Sequence, residues 1–403
     1  MSTHVDVTTK TRYLQDKNND IWNTKIKFED EGHKYWAYSK FYEEWVSSNY
    51  GGGGAPIVST TTVLSPHFPY DSEKMAMDIW NNPKNRLRME TDPTYKYYKC
   101  TCLDDIKLIW STGSKEGTKM HANFEDLANI VEYDKDNHTK KSSITKTVDK
   151  KESTIVEYKV VSSAKNLNIH LLENTETMLY TSHKLSDYEE KMYFFMFINQ
   201  FNMDHPESDL SFFKTEMLMW HDILHISGTI DALLYNKKTD SYVIVDWKRC
   251  KNGVKTDPNP NNPRTKPVHL LSAQGRGQGL PAFEMLRNNT YNKYGCQLTL
   301  YKFIFEYMTG KKISGLYIVA IDNTKIGQTN ALKIHEVPLT KFDECIRQVF
   351  ENRAREMLGK YADTLDDNHL TELINFLPDD DDPGTPVSED ENINVKRKIG
   401  EVQ

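Results

Sequence analysis

The order of apolar and polar residues predicts a β-hairpin in the middle of the chain. Two apolar runs, 226–235 and 242–245, flank the turn-forming residues 236–240, a pattern typical of two strands joined by a short loop. The second run is continuously apolar, which indicates a strand buried on both faces. Helical spacing of apolar residues elsewhere predicts helices over 113–130, 188–201, 292–308 and 339–358, and another apolar run predicts a strand over 311–321.

The predicted hairpin brings two carboxylates and one ammonium group together. Asp231 on the first strand comes near Asp246 on the second, and Lys248 lies two residues further, on the same strand face as Asp246. Carboxylate oxygens hold Mg²⁺ or Mn²⁺, such an ion polarises a phosphate and acidifies a water, and a lysine stabilises the developing charge. The grouping therefore suits metal-dependent phosphodiester hydrolysis. The alternative is that Asp231 closes a turn and the other two residues form an exposed cross-strand pair.

Composition indicates a globular protein without membrane segments. The 403 residues are 38% hydrophobic and 27% charged, and no apolar run approaches the ~18 residues of a membrane span. Residues 1–19 contain no apolar region of the kind found in signal peptides, so we expect an intracellular location and no membrane partner. The five cysteines are odd in number and lack zinc-site spacing, which favours reduced structural thiols.

The negative charge is concentrated at the C-terminal end of the chain. Residues 379–403 contain eight acidic and three basic residues, a net of −5, so the rest of the chain carries −2 of the total −7. Residues 248–276, beside the predicted hairpin, contain seven basic residues and one acid. Such a basic stretch indicates nucleic-acid binding. Apart from Lys248, the candidate contacts are Arg249, Lys251, Lys255, Arg264, Lys266 and Arg276.

Composition shifts divide the chain into parts. The polar residues 1–20 are expected to be disordered, and 376–403 are expected to form an acidic disordered tail. Between them we predict an N-terminal helical and hairpin portion over 21–210, with a flexible insertion at 134–157, and a catalytic core over 211–375. Residues 251–280 are rich in Pro, Asn and Gly, which favours either a mobile, basic loop facing substrate or a disordered insertion.

Several residues outside the hairpin are further candidates. His121 and Glu125 occur at i and i+4 of the predicted helix, on one face, although a lone helical histidine is usually a surface or core residue. Glu216 lies on an otherwise largely apolar segment, where it is either a third acidic group near the metal or an edge-strand charge. Gln297 and Tyr301 share one face of the predicted helix over 292–308.

These pieces follow one another in a recognisable order. They are Gly117-Thr118-x-x-His121, the strand with Glu216, Gly228-x-x-Asp231, Asp246-x-Lys248 and Gln297-x-x-x-Tyr301. The ordered set resembles the RecB-type branch of the PD-(D/E)xK nuclease superfamily, which includes mitochondrial genome-maintenance exonucleases, CRISPR-associated exonucleases and viral and phage enzymes. His33-x-Tyr35 followed by Ser59-Thr60-Thr61 also resembles the N-terminal part of the mitochondrial-type members.

The resemblance implies a fold and a set of roles. It implies a restriction-endonuclease-like α/β fold, with a central mixed sheet flanked by helices, a helical N-terminal portion and insertions. It implies that His121, Asp231 and Asp246 are metal ligands together with the main-chain carbonyl of Trp247, and that Lys248 is the catalytic lysine. Gln297 and Tyr301 match the last motif, whose helix faces the site and holds substrate or the lysine.

Two departures narrow the expected cofactors. Residue 230 is Ile instead of the Pro in the superfamily's name, which is common in this branch. Iron–sulfur members need one upstream and three clustered downstream cysteines, but only Cys345 follows Cys296, so we expect Mg²⁺ or Mn²⁺ and no cluster. The chain lacks the Walker-type phosphate loop, so we expect no nucleotide cofactor.

The expected function is that of a metal-dependent DNA nuclease. The mitochondrial-like pieces favour an exonuclease acting on single-stranded or frayed DNA ends and leaving a 5′-phosphate. The alternatives are a structure-specific endonuclease on the same core and a catalytically silent nucleic-acid-binding protein with a nuclease fold. The expected partners are DNA and proteins of replication or recombination.

Overall fold

The chain folds as an α/β protein with a mixed sheet between helices, as the sequence predicts at this coarse level. The computed structural model describes residues 12–18, 26–29, 34–41, 43–47, 55–69, 71–138, 158–160, 169–171, 188–205, 208–250, 283, 286, 288–322 and 332–377. The helices are α1 Tyr13–Lys17, α2 Thr60–Leu64, α3 Ser72–Asn81, α4 Pro83–Thr91, α5 Leu103–His138, α6 Tyr188–Asp204, α7 Thr290–Thr309, α8 Asp343–Tyr361 and α9 Asp367–Ile374. The strands are β1 Ile26–Glu29, β2 Lys34–Ser39, β3 Glu44–Ser47, β4 Val58–Ser59, β5 Tyr158–Val160, β6 Ile169–Leu171, β7 Leu210–His221, β8 Ile226–Asn236, β9 Ser241–Arg249, β10 Ile313–Ile321 and β11 Leu332–Glu336.

The central sheet has six strands and mixed direction. Its order is β11-β10-β9-β8-β4, and β7 also pairs with β8. The β9 and β10 pair is parallel, as is the short β4 and β8 pair, whereas β8 runs antiparallel to both β7 and β9. The predicted hairpin is confirmed, because Asn236 pairs with Ser241 at the turn between β8 and β9.

Helices cover both faces of this sheet. On one face, Met120, Phe124 and the aromatic residues of α6 pack against the odd-numbered residues of β9, Val243, Val245 and Trp247. On the other face, α7 and α8 pack against Tyr242 and Ile244. Strand β9 is therefore buried on both sides, as its continuous apolar run predicts, and Asp246 and Lys248 extend from the α7 face by strand alternation.

Local signals fix the ends of α7, which forms one wall of the site. The side chain of its N-cap residue, Asn289, accepts a hydrogen bond from the Asn292 N–H at 2.8 Å. The helix ends at Gly310, whose φ of 66° lies in the left-handed region that glycine adopts without steric cost. These caps match the predicted helix over 292–308 to within two residues.

Two smaller clusters flank the central sheet. The three-stranded sheet β1-β2-β3 packs its inner face, including Tyr35 and Val46, against Trp220 of β7. The helical lobe, residues 71–112, comprises α3, α4 and the first part of α5 around the buried side chains of Ala76, Met89, Tyr97 and Ile106. No helix in the described parts of the chain combines the length and apolarity needed to cross a bilayer.

The structure corrects two of the predicted boundaries. Residues 13–17, within the segment predicted as disordered, form α1, because Leu14 is fully buried and its N–H donates to Asn129 Oδ1 at 2.7 Å. Residues 134–138, predicted as the start of the flexible insertion, continue α5. Strand β4 from the 21–210 portion pairs with β8 from the 211–375 portion, so the two predicted portions share one sheet. The remainder of the predicted insertion, apart from β5, and the tail beyond residue 377 lie outside the described residues.

Candidate active site

The C-terminal end of β9 places an aspartate and a lysine side by side. Asp246 and Lys248 are two residues apart on one strand face, and Lys248 Nζ lies 2.7 Å from Asp246 Oδ2. The Asp246 side chain is 2% exposed and that of Lys248 is 17% exposed. This pair is buried, so the exposed cross-strand pair considered from sequence is wrong for these two residues.

The strand register brings a second and a third carboxylate to the same region. Thr215 pairs with Ala232 and Met217 with Ile230, so Glu216 of β7 lies opposite Asp231 of β8. Asp231 in turn comes next to β9, where its Oδ2 accepts a hydrogen bond from the Trp247 N–H at 2.8 Å. Glu216, Asp231 and Asp246 thus lie on three neighbouring strands.

Helix α5 adds an imidazole to this group. His121 Nδ1 lies 3.5 Å from Asp231 Oδ2 and 3.9 Å from Glu216 Oε1. His121 Nε2 lies 3.0 Å from the main-chain oxygen of Trp247. The three side chains of His121, Glu216 and Asp231 each offer a donor atom, and these atoms lie within 4.8 Å of one another. A spacing of this size is compatible with ligands of one cation, at ~2.0–2.6 Å per bond.

The predicted ligands are therefore brought together only in part. His121, Asp231 and the Trp247 carbonyl converge, and Glu216, considered from sequence as a third acid or an edge charge, joins them. Asp246 does not belong to this three-residue group among the described residues, because its carboxylate pairs with Lys248. Glu125 also stays outside it and accepts a hydrogen bond from Gln15 Nε2 at 2.8 Å.

Burial and crowded negative charge shift the acid–base properties of the site. Burial, together with the charges of Asp231, Glu125 and Asp246, raises the pKa of Glu216 to about 9. Burial, opposed by Lys248, raises the pKa of Asp246 to about 6. Burial disfavours the charged form of Lys248, but the adjacent carboxylates outweigh it and raise its pKa above the ordinary value.

The donor set and its electrostatics fit a bound divalent cation. Within the described part of the chain, neither Asp246 oxygen accepts a hydrogen bond of normal geometry, although both are buried and one lies near Lys248 Nζ. Buried carboxylate oxygens without donors are costly, and a cation compensates such charge. Carboxylate and carbonyl oxygens are also the ligands that hard divalent cations prefer.

Helix α7 closes the other side of the site. Gln297 Nε2 donates to the Tyr301 hydroxyl at 2.6 Å, so the predicted Gln/Tyr pair is formed. Tyr301 packs against Gly228 so closely that a Cβ at residue 228 would lie 2.8 Å from the ring and 2.9 Å from Thr60 Cγ2. The glycine in the G-x-x-D motif is therefore explained by this close approach.

The predicted nucleic-acid contacts are placed in only one case. Arg249 forms an ion pair with Glu116 of α5, and its side chain is 9% exposed. Its guanidinium is therefore engaged by the protein itself, which differs from the predicted phosphate contact. The other five predicted contacts lie outside the described residues: Lys251, Lys255, Arg264, Lys266 and Arg276.

The structure adds residues that the sequence reasoning assigned no part in this site. Tyr294 of α7 lies under the lysine, with Lys248 Nζ 4.8 Å from its ring centroid. Tyr35 of β2 reaches Thr229 Oγ1 at 3.2 Å, next to the acidic group. Tyr294 precedes Gln297 by three and Tyr301 by seven residues, so helical spacing could have found it. Tyr35 occurs in the motif noted at the N-terminus, but its contact with β8 depends on how the two sheets pack.

The chain was also compared with known proteins. It matches no protein-family model and no curated protein.

Proposed function

We propose that the chain is a Mg²⁺- or Mn²⁺-dependent deoxyribonuclease of the RecB-type branch of the PD-(D/E)xK superfamily, with a restriction-endonuclease-like fold. One observation supports this most strongly. Glu216, Asp231 and His121 gather within 4.8 Å of one another, beside the buried Asp246 and Lys248 pair at the end of β9. Buried strands rarely end in so many ionisable groups without a chemical reason.

The cation would be held by oxygen and nitrogen donors already described. His121, Asp231 and Glu216 would hold it, with the main-chain carbonyl of Trp247, and Asp246 borders the same region. Such an ion polarises a phosphate and acidifies water, which is the chemistry it would supply. Glu216 retains its proton at neutral pH without a cation, because its pKa is raised to about 9 by burial and nearby negative charge. Cation binding is therefore expected to release that proton.

Lys248 is assigned the stabilisation of charge on the scissile phosphate. Its ammonium group stays protonated throughout the neutral range, because Asp246 and Asp231 raise its pKa despite burial. The Tyr294 ring 4.8 Å away and the Asp246 carboxylate 2.7 Å away hold the amine in one position. A fixed, desolvated cation stabilises developing negative charge better than a mobile one in water.

The substrate we assign is DNA, at single-stranded or frayed ends, with the mitochondrial-like motifs as support for exonuclease action. A structure-specific endonuclease uses the same core, and the same assay distinguishes them by product length. We assign the protein to intracellular DNA metabolism, with replication or recombination proteins as partners.

The test measures cleavage of end-labelled single-stranded and double-stranded DNA with Mg²⁺, with Mn²⁺ and with EDTA. The variants are Asp246→Asn and Lys248→Ala. Matched controls are Asp240→Asn and Lys311→Ala, which alter an exposed ion pair with a 3.4 Å separation. Cation-dependent cleavage by the wild type and both controls, with loss in both site variants, is expected. Equal cleavage by all five proteins contradicts the assignment, and DNA binding without cleavage by any of them favours the catalytically silent binding protein.

A further inference from the structure

The helical lobe carries a positive surface that the proposed active site does not use. Residues 80–99 contain five basic and two acidic residues, a net of +3 in a chain whose net charge is −7. The basic residues are Lys84, Arg86, Arg88, Lys96 and Lys99. A local positive charge on an acidic protein favours an anionic partner.

Aromatic rings alternate with these basic residues. The Arg86 guanidinium lies 3.6 Å from the centroid of the Trp80 ring, and the Arg88 guanidinium lies 4.1 Å from that of Tyr95. The remaining two pairs are Lys96 over Tyr97 at 4.4 Å and Lys99 over Tyr98 at 5.4 Å. Each pair joins a cation to a flat ring, which is the combination that single-stranded nucleic acid recognises through its phosphates and bases.

The framework beneath this surface holds these groups in place. Tyr97 is 3% exposed, and its hydroxyl accepts a hydrogen bond from Trp110 Nε1 at 2.9 Å. Asp92 Oδ2 accepts from Arg88 Nε at 3.1 Å and lies 3.0 Å from Nη2, which orients the guanidinium over its ring. Guanidinium planes fixed in this way offer a flat face to an unpaired base without a large loss of side-chain entropy.

One helix connects this surface to the proposed active site. Trp110, in the lobe core, and His121, in the acidic group, both belong to α5. At a rise of ~1.5 Å per residue they are ~16 Å apart along the helix axis. At ~3.4 Å per stacked nucleotide, this distance corresponds to about five nucleotides of one strand.

We propose that residues 80–99 form a binding surface for single-stranded DNA, with bases stacked on the guanidinium planes of Arg86 and Arg88 and phosphates contacted by the lysines. This inference deepens the proposed nuclease function and rests on it for the choice of DNA. A duplex is a poorer ligand for this surface, because its base faces are already stacked.

The test measures fluorescence anisotropy of labelled single-stranded and double-stranded oligonucleotides of twenty nucleotides, with the full chain in EDTA, across a salt series. The first variant is Arg86→Gln/Arg88→Gln/Lys99→Gln. Its control, Lys311→Gln/Arg347→Gln/Lys360→Gln, removes the same charge from exposed, locally paired residues elsewhere. The second variant, Arg86→Lys/Arg88→Lys, keeps the charge and removes the planes. Thermal melting verifies that each variant is folded.

The first variant is expected to bind single strands at least ~10-fold more weakly, with a salt slope smaller by about 2 at ~0.7 per lost phosphate contact, and the control is expected to bind like the wild type. The lysine variant is expected to bind more weakly with an unchanged slope. Equal losses in the first variant and its control, wild-type binding by either variant, or equal affinity for duplex DNA would overturn the proposal. Binding in EDTA requires no catalysis, so absence of cleavage with these results would contradict only the nuclease assignment.

Discussion

Glu216 is predicted to destabilise the metal-free protein. It lies opposite Asp231 across the β7 and β8 pair, and its backbone φ of 44° lies in the left-handed region, which is uncommon for a residue with a side chain. Burial raises its pKa from 4.5 to about 9, helped by the charge of Asp231. The Glu216→Gln variant keeps the size and the backbone strain while removing the ionisable group.

The size of the effect follows from the difference in proton binding between the folded and unfolded states. Below pH 4.5 both states are protonated and the variant gains nothing. As the pH rises, the unfolded chain loses this proton while the folded chain keeps it, so wild-type stability falls until about pH 9. At pH 7 the pKa difference corresponds to ~3 kcal/mol. The side chain is 35% exposed, so solvent screening reduces the expected gain of the variant to ~1–2 kcal/mol.

Urea unfolding in EDTA, followed by circular dichroism at pH 4.5 and pH 7.5, measures this gain. The variant should be more stable than the wild type at the higher pH and equal to it at the lower pH. Glu44→Gln, at an exposed position of β3, is the matched control and should change the free energy of unfolding by less than ~0.5 kcal/mol. Adding Mn²⁺ should stabilise the wild type more than Glu216→Gln, because a ligand stabilises only the state that binds it. A variant no more stable than the wild type at pH 7.5, or equally stabilised by Mn²⁺, would refute the reasoning.

Three further predictions concern packing and acid stability. Gly228→Ala should lower the free energy of unfolding by ~1–3 kcal/mol, because its methyl group meets a ring at 2.8 Å, whereas Gly117→Ala, with no atom within 4 Å, should raise it by up to ~1 kcal/mol in thermal melts. Leu14→Ala should cost ~2–4 kcal/mol in urea unfolding if α1 is docked through this fully buried side chain, and no loss would restore the disordered N-terminus. Burial lowers the pKa of both His221 and His225 to about 3, so stability should be fully present above pH 6.5 and fall as the pH drops toward 3; a melting temperature independent of pH in that window would contradict this.

The hairpin and its acidic and basic residues could be predicted because the signals are local. Strand alternation alone places Asp246 and Lys248 on one face, and the intervening turn fixes which strands pair. The continuous apolar run before Asp246 also predicts burial on both sides, which the burial of β9 confirms. These properties depend on neighbouring residues in sequence and need no knowledge of the rest of the fold.

The role of Glu216 could not be predicted in the same way. Its position opposite Asp231 depends on the register of β7, which contains an irregularity between Phe212 and Lys214. A shift of one residue would turn this side chain to the other face. The contact of His121 with Asp231 likewise depends on how α5 docks on the sheet, and only the ordered motifs pointed to it.

The short helix α1 illustrates a different limit. Five residues are too few to be helical alone, so the sequence favoured disorder over 1–20. The helix forms through tertiary contacts, in which Leu14 is buried against α5 and Lys17 lies 2.5 Å from Asp136. Such docking energy is not visible in the local sequence.

The central claim is that the acidic group and Lys248 form a metal-dependent nuclease centre. The most direct measurement is the single-turnover rate of cleavage of end-labelled single-stranded DNA in Mn²⁺ by the wild type, Lys248→Ala and the control Lys311→Ala. Loss of one preorganised charge at the reacting phosphate should reduce the rate by ~10²–10³-fold in Lys248→Ala, and the control should keep the wild-type rate. A Lys248→Ala rate equal to that of the wild type, or cleavage that persists in EDTA, would contradict the claim.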